Sequence, residues 1–302
     1  MRASLCVALP LILMTSHLAA QSAEDSGTRV ILLGTGTPNA DPERSGPGVA
    51  IVIKGKSYLV DAGPGIVRRA AAASRLGYPG LSPENLATVF ITHLHSDHTL
   101  GLPDLMYSPW TLERTSALSV YGPPGIADMV RNLEQAYAED LRVRLDGLEP
   151  ANRTGYQVMT RTVDPGVVFQ NADVKVTAFL VPHGSWKAAY GYRFETSDRV
   201  IVISGDTGPA SIIGEQCNGC DVLVHEVYSA ARLPTRPAEW QRYHRSFHTS
   251  TTELAAIAAQ AKPKVLVLYH QLFWGVKGED LEAEVRAGYN GLVVSGDDLD
   301  QF

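Results

Sequence analysis

The chain has 302 residues, of which 45% are hydrophobic and 19% charged, and it shows no internal repeat or low-complexity tract. α/β architectures often reach such a length as one unit, so we predict a single large domain. With 26 basic and 32 acidic residues, the formal net charge is −6. A negative surface does not attract a polyanion, so we do not expect a long nucleic acid bound along a basic groove.

The N-terminus has the layout of a secretory signal peptide. Arg2 precedes a twelve-residue apolar run, 3–14, and small residues follow it. A run of this length is too short to span a bilayer, so we predict no membrane anchor. We therefore expect 1–22 to be a signal peptide and 23–302 to be the domain of an exported protein, periplasmic or secreted.

Apolar runs and turn signals predict alternating strands and helices along the rest of the chain. Strands are expected at 29–33, 49–53, 57–60, 87–91, 118–121, 174–180, 190–195, 200–203, 221–224, 265–268 and 292–294. Helices are expected at 64–76, from about residue 99, and at 123–141, 249–261 and 278–287, whereas 146–165 is polar and looped. Strands with interposed helices in both halves fit an α/β fold, a four-layer αββα sandwich.

Four potential metal ligands lie within residues 92–98, directly after the fourth predicted strand. Alternate residues of an extended segment point the same way, so His93 and His95 can bind one ion together. Asp97 and His98 face elsewhere, at the corner of the helix expected from about residue 99, and can bind a second ion. The spacing therefore indicates two metals rather than a His-rich surface loop.

Ligand-type residues recur downstream, each at the end of an apolar run. They are His183 in Val-Pro-His-Gly, Asp206 in Ser-Gly-Asp-Thr and His270 in Leu-Tyr-His. Each has the pattern of a strand end that delivers one polar side chain, which a chance surface loop would not explain.

This ordered set resembles the metallo-β-lactamase superfamily of binuclear hydrolases, most closely its ribonuclease Z and arylsulfatase branch. The resemblance rests on His-x-His-x-Asp-His at 93–98, Ser-Gly-Asp-Thr at 204–207, His-Glu-Val-Tyr at 225–228 and Phe-His-Thr-Ser at 247–250. It implies the metallo-β-lactamase fold and two Zn²⁺ per chain, with Mn²⁺ or Fe²⁺ as alternatives. One zinc would be held by His93, His95 and His183, the other by Asp97, His98 and His270, and Asp206 would bridge them. The matching Asp61 would support the histidine loop.

The resemblance also pairs His248 with Glu226. We predict that His248 donates a proton to the leaving oxygen and that the carboxylate of Glu226 orients it and keeps it protonated. Asp97 is a candidate catalytic carboxylate as well as a ligand. The competing interpretation is that His248 caps the helix at 249–261.

The expected substrate is a small ester. Only 22 residues separate His183 from Asp206, too few for the long arm with which ribonuclease Z clamps tRNA. Aromatic residues near the motifs favour an aryl or apolar group, and about half should line a pocket; they are Tyr107, Trp110, Trp186, Tyr228, Phe273 and Trp274. We therefore predict an exported binuclear zinc hydrolase that cleaves small anionic or aromatic esters, either phosphodiesters or aryl sulfates. We expect it to bind no specific nucleic acid, and a homodimer is compatible with the sequence.

Three alternatives stay open at this point. They are a β-lactamase or lactonase on the same fold, a ribonuclease Z-like enzyme of RNA 3′ processing, and a metal-binding scaffold without activity. The pair Cys217 and Cys220 is too small for a structural zinc site, and a disulfide and two buried thiols are equally favoured.

Overall fold

The computed structural model describes residues 27–302, so the predicted signal peptide lies outside the described residues and stays a prediction. The strands of this part are β1 (Arg29–Gly34), β2 (Gly48–Ile53), β3 (Lys56–Val60), β4 (Thr88–Phe90), β5 (Leu118–Gly122), β6 (Val158–Thr162), β7 (Gly166–Gln170), β8 (Val174–Leu180), β9 (Tyr190–Thr196), β10 (Val200–Ile203), β11 (Val222–Tyr228), β12 (Val265–Leu272) and β13 (Val293–Ser295). Its helices are α1 (Ile66–Arg75), α2 (Ser96–Thr99), α3 (Leu102–Thr111), α4 (Ile126–Ala136), α5 (Ala138–Asp146), α6 (Ser211–Cys217), α7 (Ala238–Phe247), α8 (Thr251–Ala261) and α9 (Gly278–Arg286). None of the helices within 27–302 is long and apolar enough to cross a membrane.

The strands form two mixed sheets that pack face to face. One has the order β1-β2-β3-β4-β5-β6 and the other β13-β12-β11-β10-β9-β8-β7. Strand β1 shows how the sequence builds the layers, because successive side chains of a strand point to opposite faces. Val30 and Leu32 lie in the core between the sheets, whereas Ile31 and Leu33 lie in the core under the helices.

Helices cover the outer face of each sheet. Helices α1, α3 and α4 contribute their apolar stripes to the first outer core, and α6, α8 and α9 contribute theirs to the second. The four-layer αββα sandwich predicted from the sequence is therefore confirmed. The layers bring the carboxyl ends of several central strands to one rim of the sandwich, where ligands bind in sheets of this kind.

Several element boundaries differ from the predictions. The single helix expected at 123–141 is two helices, α4 and α5, which meet at Tyr137 (φ −99°, ψ 10°). The polar stretch 146–165 contains β6, and β7 follows it. Both strands are mostly exposed, so the apolar alternation that reveals a strand is weak there. Helix α7 was not expected at all, although it borders the site described below.

The two cysteines within residues 27–302 form a disulfide. Cys217 ends α6 and Cys220 lies just before β11, with their Cα atoms 4.7 Å apart and both side chains buried. The alternative of two free thiols, left open by the sequence, is thereby excluded for this structure.

Candidate metal centre

The histidines of the first predicted ligand group converge on one point. The Nδ1 atom of His95 lies 2.9 Å from Nε2 of His93 and 3.2 Å from Nε2 of His183. His93 follows β4 and His183 follows β8, so two strands from different sheets deliver them. Three imidazole nitrogens at this separation suit a shared cation.

The second group meets a few ångströms away. Nε2 of His270 lies 3.2 Å from Oδ2 of Asp97, and Nε2 of His98 lies 3.5 Å from the same oxygen. Asp97 and His98 lie in the short helix α2, which begins at Ser96. The expected turn into a helix is present and begins three residues before residue 99.

Asp206 stands between the two groups. Its Oδ1 lies 3.4 Å from Nε2 of His98, and its Oδ2 lies 3.9 Å from Nε2 of His93 and 3.5 Å from Nε2 of His270. Gly205, just before it, has a φ of 62°, and an added Cβ would lie 2.7 Å from the carbonyl oxygen of Tyr190. The glycine therefore permits the tight turn that brings the carboxylate between both groups.

Two groups behind the ligands fix which imidazole nitrogen faces the centre. The carboxylate of Asp61 can only accept, so Nδ1 of His98 donates to its Oδ2 at 2.8 Å. In the same way Nδ1 of His183 donates to the carbonyl oxygen of Phe247 at 2.7 Å. Each therefore turns Nε2, the nitrogen that can coordinate a metal, towards the centre. The predicted supporting position of Asp61 is the one that the structure has, and Asp61 also accepts from the backbone N–H of Thr92 at 2.8 Å.

His270 reaches the centre through a β-bulge. In the pairing of β11 with β12, Glu226 lies opposite Tyr269 and Val227 lies opposite Gln271, so His270 is an extra residue. Its φ of 44° lies in the left-handed region, which is uncommon for a residue other than glycine. A bulge of this kind re-aims one side chain, and here it turns the imidazole towards Asp97.

Burial and opposite charges act against each other in this cluster. Burial lowers the pKa of His93 well below its usual value and that of His183 to about 4, which keeps both imidazoles neutral. Burial opposes the charged form of His98 as well, but the carboxylates of Asp206 and Asp61 outweigh it and raise its pKa well above the usual value. The imidazoles of His270 and His98 in turn overcome burial and hold the pKa of Asp206 well below its usual range.

The donor set fits metal ions. Nε2 of His98 and Oδ1 of Asp206 are buried without a hydrogen-bond partner among the described residues, and such groups are costly unless something satisfies them. The ligand atoms fall into three overlapping groups in which all atoms lie within 4.8 Å of one another: His93, His95, His183 and Asp206; Asp97, His98 and His270; and Asp206, His248 and His270. The cluster can therefore hold metal, on the residues that the sequence indicated.

His248 and Glu226 lie beside this cluster, as predicted. Nδ1 of His248 lies 3.5 Å from Oε2 of Glu226, while Oε1 of Glu226 accepts the N–H of Thr249 at 2.9 Å. The cap of α8 is Ser250, which forms a capping box with Glu253, so the interpretation of His248 as a helix cap is wrong.

The protonation predicted for this pair needs correction. Burial lowers the pKa of His248 to about 4, and burial raises the pKa of Glu226 well above its usual value. Both shifts favour the neutral forms. These shifts favour a neutral His248 beside a protonated Glu226, rather than the charged His248 beside a carboxylate that the sequence suggested.

An open cavity of about 310 Å³ leads to the cluster. Its floor is formed by the site residues His95, Asp97, Asp206, His248 and His270, and its outer wall includes Arg236, Trp240, Tyr243 and Trp274. Of the six aromatic residues singled out in the sequence, Trp274 lines this cavity and Trp186 contacts the ring of His95. Tyr107 and Trp110 instead belong to the first outer core. The sequence reasoning missed the wall of α7, although its aromatic residues recur at helical spacing.

Comparison with known proteins gives a consistent result. The model of the beta-lactamase superfamily domain matches residues 56–271. A ribonuclease Z of Mycobacterium sp. (strain KMS) is 31% identical over 89% of this chain and 94% of its own length, and one of Mycobacterium avium (strain 104) is 32% identical over 89% and 96%. Among solved structures, the short form of human tRNase Z superposes with a TM-score of 0.66 at 21% identity over 91% of this chain and 98% of that one. The metallo-beta-lactamase fold protein YhfI from Bacillus subtilis has a TM-score of 0.67 at 17% identity, over 91% and 98%; these two structures support the fold alone.

These relatives overturn the substrate prediction. The proteins with substantial identity are named ribonuclease Z, so the expectation of a small aryl phosphate or sulfate ester substrate, and of no nucleic acid, is wrong. The short segment between His183 and Asp206 folds into the β9–β10 hairpin. Export and the homodimer are untested by these findings and stay predictions.

The charge of the chain is unevenly distributed, so its net value does not describe the surface at the cavity. Between residues 232 and 245 there are four arginines and a single acidic residue, Glu239. This stretch borders the cavity through Arg236, Trp240 and Tyr243. A local positive charge can therefore attract a polyanion to the centre although the net charge is negative.

Proposed function

The chain belongs to the beta-lactamase superfamily, within its ribonuclease Z branch, and on that basis we propose that this metal-dependent hydrolase cleaves a phosphodiester bond in RNA, as in the 3′ processing of tRNA precursors. The observation that carries the proposal is the similarity to the mycobacterial ribonuclease Z proteins over nearly the whole chain. The arginines beside the cavity support it, since each phosphate of an RNA strand carries a charge that such residues neutralise.

We assign two zinc ions to the centre, with Mn²⁺ or Fe²⁺ as alternatives. The first would be held by His93, His95 and His183, the second by Asp97, His98 and His270, with Asp206 in contact with both. When bound, such ions supply Lewis acidity to a phosphate group and acidify water near neutral pH. The role of Asp61 and of the Phe247 carbonyl is to hold the imidazoles in the tautomer that can coordinate.

Hydrolysis of a phosphodiester breaks one P–O bond, and the leaving oxygen requires a proton. We assign this proton to Nε2 of His248, because its Nδ1 faces Glu226 and the opposite edge of the ring is left for the cavity. As Nε2 gives up its proton, Nδ1 can take one from Glu226, which burial keeps protonated. General acid catalysis of this kind typically contributes 10²–10⁴-fold to the rate.

The test is cleavage of a tRNA precursor with a 3′ trailer by the purified, zinc-loaded protein at physiological salt. We expect one internal cut, two zinc ions per chain at saturation, and loss of both the cut and one ion in Asp206→Ala. Asp173→Asn serves as the matched control, because Asp173 pairs with Lys54 at the surface away from the centre. Intact RNA in the presence of both ions would refute RNA cleavage, and a single ion at saturation would refute the two-metal assignment.

A further inference from the structure

The outer wall of the cavity is aromatic and is built by two segments. Helix α7 presents Trp240, Tyr243 and His244 on one side, because residues three and four apart share a helix face. The turn after β12 adds Trp274. The rings form a continuous surface: Trp240 stacks on His244 at 5.8 Å between centroids, and His244 lies 4.7 Å from Trp274.

Two features of this surface are unusual for a structural cluster. The indole of Trp240 is 49% exposed, so packing in the core does not account for it. Trp274 has a φ of 47°, a left-handed conformation that a tryptophan adopts only when its surroundings impose it. Arg232 helps to impose it, since its Nε donates to the carbonyl oxygen of Trp274 at 3.2 Å. This conformation places the indole of Trp274 at the cavity wall, where it also packs against Tyr228 at 5.5 Å between centroids.

An arginine with no carboxylate partner within residues 27–302 faces the same surface. The guanidinium carbon of Arg236 lies 5.6 Å from the ring centroid of Trp274, and its Nε is buried without a hydrogen-bond partner among residues 27–302. Most arginines elsewhere in the described part form ion pairs, for example Arg131 with Asp128 and Arg142 with Glu139. A guanidinium presents a planar set of donors that matches a phosphate.

We propose that this wall is a nucleotide-binding subsite, in which Arg236 binds a phosphate next to the scissile one and the exposed indole of Trp240 stacks on a base. The inference deepens the proposed RNA cleavage and rests on it for the identity of the ligand. An aromatic ring beside an unpaired arginine is the usual arrangement for single-stranded nucleic acid, because every base has a face on which to stack. A neutral aryl ligand would use the rings but would leave the guanidinium without an anion.

Binding can be measured without cleavage, in metal-free protein with a short fluorescein-labelled single-stranded RNA, by anisotropy over a series of salt concentrations. Trp240→Leu should weaken binding roughly tenfold with an unchanged salt dependence, and Trp240→Phe should restore most of it. Arg236→Gln should also weaken binding, and should reduce the slope of log affinity against log salt by about 0.7, the value for one phosphate contact on a single strand. Arg131→Gln, an exposed arginine of α4 far from the cavity, should bind like the wild type.

The outcomes separate this subsite from the proposed cleavage. Trp240→Leu with wild-type affinity, or Arg236→Gln with an unchanged salt slope, overturns the subsite even if the protein cuts tRNA precursors. Binding that depends on both residues, in a protein that never cuts RNA, supports the subsite and refutes the cleavage. Thermal unfolding of each variant checks that the fold is intact, and the exposed position of Trp240 makes a large loss of stability unexpected.

Discussion

Replacing Asp61 by asparagine should weaken one of the two metal sites while leaving the fold intact. The carboxylate accepts from the N–H of Thr92 and from Nδ1 of His98, both at 2.8 Å. An asparagine oxygen can keep the bond to Thr92, and asparagine tolerates the left-handed backbone found here, φ 63°. Its amide nitrogen then faces Nδ1 of His98, and two donors cannot bond. The imidazole proton is therefore driven to Nε2, the atom that faces the centre.

The expected size of the effect follows from that proton. Loss of a partner behind a ligand typically costs 10–100-fold in metal affinity, or about 1.4–2.8 kcal/mol at 1.4 kcal/mol per factor of ten. A hydrogen bond to a charged group, about 1.5–3 kcal/mol, gives the same range. Titration of metal-free protein with zinc against a chromophoric chelator should show one of two binding steps weakened and the other unchanged.

The control for this change is Asp298→Asn. Asp298 has a side chain that is 4% exposed, accepts from the N–H of Thr35 at 2.9 Å and contacts none of the ligands. Its replacement should lower the free energy of unfolding without changing either zinc affinity. If Asp61→Asn binds both ions as tightly as the wild type, the tautomer argument is refuted, and if it loses both ions together with its fold, the role of Asp61 is structural.

Two further predictions concern an indole and a buried imidazole. Nε1 of Trp186 donates to Nε2 of His95 at 2.8 Å. A metal bound to Nδ1 of His95 would place a proton on Nε2, so zinc should turn Trp186 away and change the tryptophan fluorescence. The variant Trp186→Phe should lose this response, and an unchanged wild-type spectrum would contradict the prediction. Burial lowers the pKa of His225 to about 4, so its neutral form stabilises the folded state above pH 6.5 and this contribution is lost as the pH falls towards 4. Urea unfolding between these pH values should show a shallower loss of stability in His225→Asn, by at most about 1.4 kcal/mol per pH unit, whereas an equal slope would show that folding does not lower the pKa of His225.

The metal ligands could be predicted because local sequence patterns determine their positions. His93 and His95 are two residues apart in an extended segment, so the sequence alone puts them on one side. His183 and Asp206 follow apolar strands, and the ends of such strands meet at one rim of the sandwich. The four-layer arrangement followed from the same alternation of strands and helices.

Other parts of the site depend on tertiary packing. The bulge that turns His270 is one extra residue, and no glycine or asparagine marks its left-handed position in the sequence. The aromatic wall of the cavity, in contrast, could have been predicted from the sequence. Its side chains recur at helical spacing, at Trp240, Tyr243, His244 and Phe247. The arginines on the same stretch were lost in a charge summed over the chain, and that sum led to the wrong substrate.

Helix α7 links recognition to the metal ligands within one rigid element. Its last residue, Phe247, gives the carbonyl that fixes the tautomer of His183, and the N–H of His248 donates to the carbonyl oxygen of His244 at 2.9 Å. Gly184 lets the helix approach, because an added Cβ would lie 2.1 Å from the ring of Phe247. A base stacked on Trp240 would thus be held at a fixed distance from His183 and His248. In the proposed subsite, the arginines and the indole of this segment would therefore position an RNA strand relative to the ligands themselves, which an equally charged surface elsewhere on the sandwich would not do.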